Sequence, residues 1–138
     1  MVKKLLDEIK DSYDFILIDC PPSLGLITVN ALTASDSVII PMQCEFYAME
    51  GITQLMNTIR LIKYHLNPNI DIEGVVMTMK EKRFNLTNQV SNEIIKVFNK
   101  KVYVTTIPRN VRLAEAPSHG LPVALYDSNS KGAEAYLS

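Results

Sequence analysis

The sequence predicts an α/β fold: a mainly parallel sheet sandwiched by helices, a three-layer α/β/α arrangement. Three observations predict it. Short, uniformly apolar runs recur along the chain, helical patterns of about ten or more residues separate them, and an acid or a proline closes several of the runs. A run without polar alternation suits a strand covered on both faces, as strands of parallel sheets are. Strands that alternate with helices imply right-handed crossovers.

Taken in order, Val2 to Lys10 reads as a short amphipathic helix with Leu5, Leu6 and Ile9 on its apolar side. Phe15 to Ile18 reads as a buried strand that ends on Asp19 and turns at Pro21-Pro22. Leu24 to Ala34 reads as a helix, and Ser37 to Ile40 as a second buried strand closed by Pro41. From Ala48 to Leu66, Ile52, Leu55, Met56, Ile59 and Ile62 share one helical face, and Asn67-Pro68 ends the pattern because proline disfavours helical geometry in the residue before it. Gly74 to Met79 is a third strand. Asn85 caps a helix with Leu86, Val90, Ile94, Val97 and Phe98 inward. Val102 to Ile107 is a fourth strand, stopped by Pro108, and Val111 to Ser130 is loop-rich, with one short helix and a short strand at Val123 to Leu125.

At 138 residues with 47% apolar content, one domain with a single core is expected. No apolar run approaches the ~20 residues of a membrane span, and the acids in "MVKKLLDEIKDSYDF" interrupt any secretion-signal pattern. A cytoplasmic location is the expectation. Cys20 and Cys44 have neither CxxC spacing nor a neighbouring histidine cluster, so both read as small buried residues. Met49, Met56, Met77 and Met79 read as core, His65 as a helix C-terminal dipole partner and His119 as a structural hydrogen-bonding residue. No nucleophile triad is apparent. The net charge of −1 conceals a contrast: Lys80 to Arg112 carries eight basic residues against two acids, a local +6, which leaves −7 elsewhere. That segment matters if the fold gathers its cations on one face.

Ligands of open parallel sheets sit beyond the carboxyl ends of the strands. Three candidate places follow: Asp19, Thr78 to Arg83, and Pro108 to Arg112. Asp19 is open to two readings, a turn or capping acid and a carboxylate that organises a metal, as acids ending apolar strands do in nucleotide-hydrolysing proteins.

The stretches "FILIDCPPSLGLITVNALTASDSVIIPMQCEFYAMEG", "IPRNVRLAEAPSHGLPV" and "SKGAEAYL" closely resemble the ParA/Soj chromosome- and plasmid-partitioning ATPases, the deviant Walker A branch of the P-loop proteins related to MinD. The resemblance runs from Tyr13 to the end of the chain. It implies an ATP-sandwiching homodimer that binds non-specific DNA when ATP is bound and releases it after hydrolysis stimulated by a ParB-type partner, in the cytoplasm on the nucleoid; no membrane partner is expected, a MinD-like membrane function being a third option disfavoured by the lack of a basic amphipathic tail in these residues. By the same resemblance, Asp19 matches the Walker B aspartate that holds Mg2+ through water. Pro108 and Asn110 match residues that lie against the adenine, and Arg83 and Arg112 match DNA-binding positions, with Lys80 and Lys82 adding charge beside them. Lys96, Lys100 and Lys101 would lend electrostatic support.

Two departures accompany the resemblance. Lys80-Glu81-Lys82-Arg83-Phe84 stands where similar proteins usually place an aliphatic or aromatic residue and Asp before the first arginine, and Thr after it. A KGGVGKT phosphate-binding loop is absent from these residues. The resemblance therefore implies the carboxyl-terminal portion of the ATPase domain, a partial P-loop NTPase fold lacking the P-loop strand that normally separates the strands at Phe15–Ile18 and Val38–Ile40. Those strands would then pair directly, leave a gap or be bridged by another chain. The chain alone is expected to be inactive in ATP hydrolysis; the alternative function is a catalytically inactive DNA-binding or dimerisation module.

Overall fold

The computed structural model describes residues 2–21, 23, 25–45, 48–81 and 85–138. They divide into two compact units, Met1–Val38 with Glu50–Glu73, and Ile39–Met49 with Gly74–Ser138.

The first unit begins with α1 (Val2–Ile9) and a 3-10 turn at Lys10–Ser12. The next segment departs from the sequence expectation. Phe15 to Ile18 forms no strand, and Phe15 and Leu17 are 87% and 86% exposed against 36% for Ile16 and Ile18. The period-two alternation of an extended chain survives, but among the described residues no neighbouring strand offers it a ladder. α2 (Leu26–Ala34) follows, with Thr28, Ala31 and Leu32 buried and the Thr28 hydroxyl donating to the Ser23 carbonyl at 2.6 Å. Leu24, read as the start of this helix, lies outside the described residues.

α3 (Ala48–His65) buries Ile52, Ile59 and Ile62 at the spacing the sequence shows, with Leu55 and Met56 half-buried beside them. Leu32, Ile62 and Ile70 form the unit's core, with Val29 and Val38 packed on it. Asn67 does more than end the helix. Its side-chain amide donates to the Leu32 carbonyl at 3.1 Å and the Ser35 carbonyl at 2.7 Å, which satisfies two backbone acceptors at the end of α2.

β1 (Ser37–Gln43) and β2 (Asp71–Thr78) are neighbours in a parallel sheet, joined by the α3 crossover. β1 runs through Pro41 instead of stopping at it. An edge strand tolerates a proline because the missing N–H need not face its single partner. β2 starts at Asp71, three residues earlier than the sequence suggested, and buries Ile72, Gly74, Val75 and Met77.

The second unit holds most of the sheet. Val102 to Ile107 is not a regular strand; it meets β2 through an isolated parallel bridge of Val75 with Val102, and just beyond both segments Lys80 bridges Pro108. Tyr103 N–H donates to the Val75 carbonyl at 3.0 Å and Ile107 N–H to the Met77 carbonyl at 2.8 Å. Gly74 permits that approach, because a Cβ there would overlap the Tyr103 ring. α4 (Asn85–Phe98) buries Val90, Ile94 and Phe98 at four-residue spacing, while Val97, expected inward, is 54% exposed. The side chains of Leu86 and Met49 lie outside the described residues. Cys44 is buried and accepts from the Ser91 hydroxyl at 3.5 Å, whereas Cys20 is only half-buried.

The loop-rich tail contains three short helices, α5 (Val111–Glu115), α6 (Val123–Tyr126) and α7 (Lys131–Leu137). The expected strand at Val123 to Leu125 is thus a helical turn, entered through Pro122, whose fixed φ suits the residue before a helix. Ser130 caps α7 by accepting from Ala133 N–H at 3.2 Å. A Cβ on Gly132 of α7 would overlap the Leu113 side chain, so the close seating of α7 against Leu113 needs glycine.

Candidate functional site

In the second unit, the carboxyl ends of the parallel segments carry several of the predicted site residues. β2 ends at Thr78, and Met79 takes the left-handed conformation (φ 50°). Expected in the core, Met79 is instead 46% exposed, because this turn takes it off the strand alternation. Lys80 follows directly; its N–H donates to the Ile107 carbonyl at 3.0 Å and it bridges to Pro108. The backbone therefore joins a predicted DNA contact, Lys80, to a predicted adenine contact, Pro108. Lys82 and Arg83 lie outside the described residues.

Asn110 is the N-cap of α5, its Oδ1 accepting from Arg112 N–H at 2.9 Å. The same residue read as a base contact therefore also sets the first turn of the helix that carries Arg112. Arg112 is flanked by carboxylates, Nη1 at 2.8 Å from Glu115 and Nε at 3.2 Å from Asp127. Glu115 also accepts from the Tyr126 hydroxyl at 3.3 Å, and Tyr126 stacks on His119 with ring centroids 4.9 Å apart. The hydrogen bond from Arg112, reinforced by its charge and by Tyr126 and opposed by desolvation, holds the Glu115 carboxyl below its ordinary range.

Arg109 was not singled out from the sequence, yet like Arg112 it pairs with two carboxylates. Its Nε lies 2.7 Å from Glu81 and its Nη2 3.5 Å from Glu45. Glu45 follows the end of β1, so one guanidinium contacts the segments that follow both strands. The local +6 of Lys80 to Arg112 is correspondingly tempered: Glu45, Glu115 and Asp127, all outside that window, fold onto its arginines, and Glu93 pairs with Lys96 at 2.6 Å. The i,i+3 pairing of Arg112 with Glu115 is legible as helix spacing. The contacts of Glu45 and Asp127 required the fold.

In the first unit, Asp19 is exposed and makes no ion pair or hydrogen bond among the described residues. No group of three or more His, Cys, Asp or Glu residues that could hold a metal occurs among those residues. No helix among the described residues is long and apolar enough to cross a membrane.

Residues 1–72 match the AAA domain family. The chain is 62% identical over 136 residues to the sporulation initiation inhibitor protein Soj of Bacillus subtilis, covering 99% of this chain and 54% of Soj. It is 56% identical over 125 residues to the chromosome partitioning protein ParA of Myxococcus xanthus, covering 91% of this chain and 44% of ParA. The chain thus spans about half the length of the curated relatives it matches. Among solved structures, it is similar to cobyrinic acid a,c-diamide synthase from Mycobacterium smegmatis with bound ATP analog and magnesium, with a TM-score of 0.76 and 32% identity over 98% of this chain and 48% of that one. These likenesses bear out the α/β, P-loop NTPase-like fold class. The protein belongs to the AAA domain family, and it is similar over nearly its whole length to Soj and ParA.

Proposed function

We propose that residues 1–138 are one portion of a single Soj/ParA-type ATPase domain that acts in DNA segregation, binding ATP with Mg2+ and non-specific DNA. The observation that carries this reading is the pairing of Lys80 with Pro108 in the second unit, which joins a cationic segment to the candidate adenine-contacting segment. Asp19, with no competing ion pair among the described residues, would hold magnesium through water; the metal would neutralise phosphate charge. Asn110 uses its Oδ1 on the Arg112 amide, which leaves its amide N–H groups as donors for an acceptor on the base edge, and Pro108 offers an apolar surface beside it.

Arg112 spends Nη1 and Nε on carboxylates, so its Nη2 donors remain for a phosphate oxygen. Arg83, Lys80 and Lys82 complete the proposed phosphate contacts, which need no base reading. A ParB-type partner, a homodimeric assembly and a cytoplasmic, nucleoid-associated location belong to the same reading, which the likeness to a protein named chromosome partitioning protein ParA supports.

Two measurements test it. Duplex DNA binding by the 138-residue chain, followed by fluorescence anisotropy, is expected to be weak, salt-sensitive and weakened further by Arg83→Ala with Arg112→Ala; equal binding by the double variant refutes the DNA contacts. The same chain is expected to show no ATP turnover, because its sequence contains no glycine- and lysine-bearing phosphate loop. Turnover that disappears in Asp19→Ala would refute the need for that loop.

A further inference from the structure

Arg109 contacts neither of the groups assigned above, yet in the second unit it ties together the segments that carry them. Its Nε meets Glu81, the residue after Lys80, at 2.7 Å, and its Nη2 meets Glu45 at 3.5 Å. In sequence it stands between Pro108 and Asn110. The backbone bond from Lys80 N–H to the Ile107 carbonyl, 3.0 Å, runs alongside these ion pairs. The arginine fork is suited to this task, since it directs separate donors at two carboxylates in a fixed plane.

We propose that Arg109 is a positioning residue: by bridging Glu45 and Glu81 it fixes Lys80 beside Pro108 and Asn110, and so sets how well this rim grips duplex phosphates without itself touching DNA. The functional half rests on the DNA-binding reading above. Arg109, Glu45 and Glu81 have side chains 58%, 59% and 39% exposed, so water and salt compete with each pair and the clasp is easily opened. That is suited to a segment that must adjust to a ligand. The proposal also makes an unusual demand on Glu81. Electrostatics alone says that removing an acid from a rim facing a polyanion tightens binding; as part of the clasp, its removal loosens binding.

The test uses the full 138-residue chain with Glu81→Gln and Arg109→Ala. Amide hydrogen exchange at Lys80 is expected to rise by about two- to fivefold in both variants, the scale of an exposed ion pair. The Tyr103 amide, bonded to Val75 further back on β2, is expected to stay at the parent rate, which separates a local clasp from general destabilisation. Duplex affinity of Glu81→Gln is expected to fall by a similar factor with an unchanged salt slope, because no phosphate contact is lost. Unchanged Lys80 exchange in both variants overturns the clasp, as does equal acceleration at Tyr103. Tighter duplex binding by Glu81→Gln overturns its functional half. If the parent chain binds no duplex, the DNA-binding reading fails and takes the functional half with it, while Lys80 exchange still decides the clasp.

Discussion

Residues 15–18 and 102–107 look alike in the sequence: both are β-rich apolar runs closed by a residue that can meet a ligand. Their fates differ. The second lies along β2, with Tyr103 and Ile107 donating to it, and Ile107 is 4% exposed. The first keeps its extended alternation but has no ladder among the described residues, with Leu17 86% exposed. Apolar composition selects the extended backbone; the pair across the ladder makes the strand. Neither segment can stabilise a sheet from its own sequence.

The largest expected effect comes from truncating one side chain in each segment. Ile107→Ala should cost about 2–5 kcal/mol, by lost transfer energy and a residual cavity, whereas Leu17→Ala should stay within about 0.5 kcal/mol because its side chain is already in water; chemical denaturation of both variants measures the contrast. A large loss in Leu17→Ala would mean that residues 15–18 are covered in solution and would break the comparison. Next is Gly74→Ala, expected to cost about 1–3 kcal/mol by driving the Tyr103 ring off β2. The companion variant Tyr103→Ala together with Gly74→Ala should recover part of that loss in the same denaturation assay, which ties the cost to this contact and not to strand propensity.

The smallest effect is a pH dependence confined to the second unit. Glu115 has its folded-state titration lowered by the Arg112 hydrogen bond, so the stability it contributes is present above the unfolded-state value and is lost as pH falls through the folded one. Thermal unfolding below roughly pH 4 should therefore show less acid destabilisation in Glu115→Gln than in the parent.

Much of the helical structure was legible because burial leaves a period in the sequence: Ile52, Ile59 and Ile62 of α3, and Val90, Ile94 and Phe98 of α4, are buried where their spacing puts them. The strands were less legible. Pro41 does not end β1, since an edge strand need lose no ladder bond to it, and the three-residue run Val123 to Leu125, too short for composition to decide, becomes part of the helical turn Val123–Tyr126. Asp19 and Asn110 are candidates that a motif names, and the structure adds that Asn110 caps α5. The arginine ion pairs with Glu45 and Asp127 were not legible, because those partners lie 64 and 15 residues away in sequence and only the fold brings them close.

Whether this rim of the second unit grips nucleic-acid phosphate is read from the slope of duplex affinity against salt concentration. Each phosphate contact contributes about 0.9 to that logarithmic slope. Arg83→Ala with Arg112→Ala is expected to lower its magnitude by about 1.8; a double variant with the parent's affinity and slope would contradict a phosphate grip by these arginines.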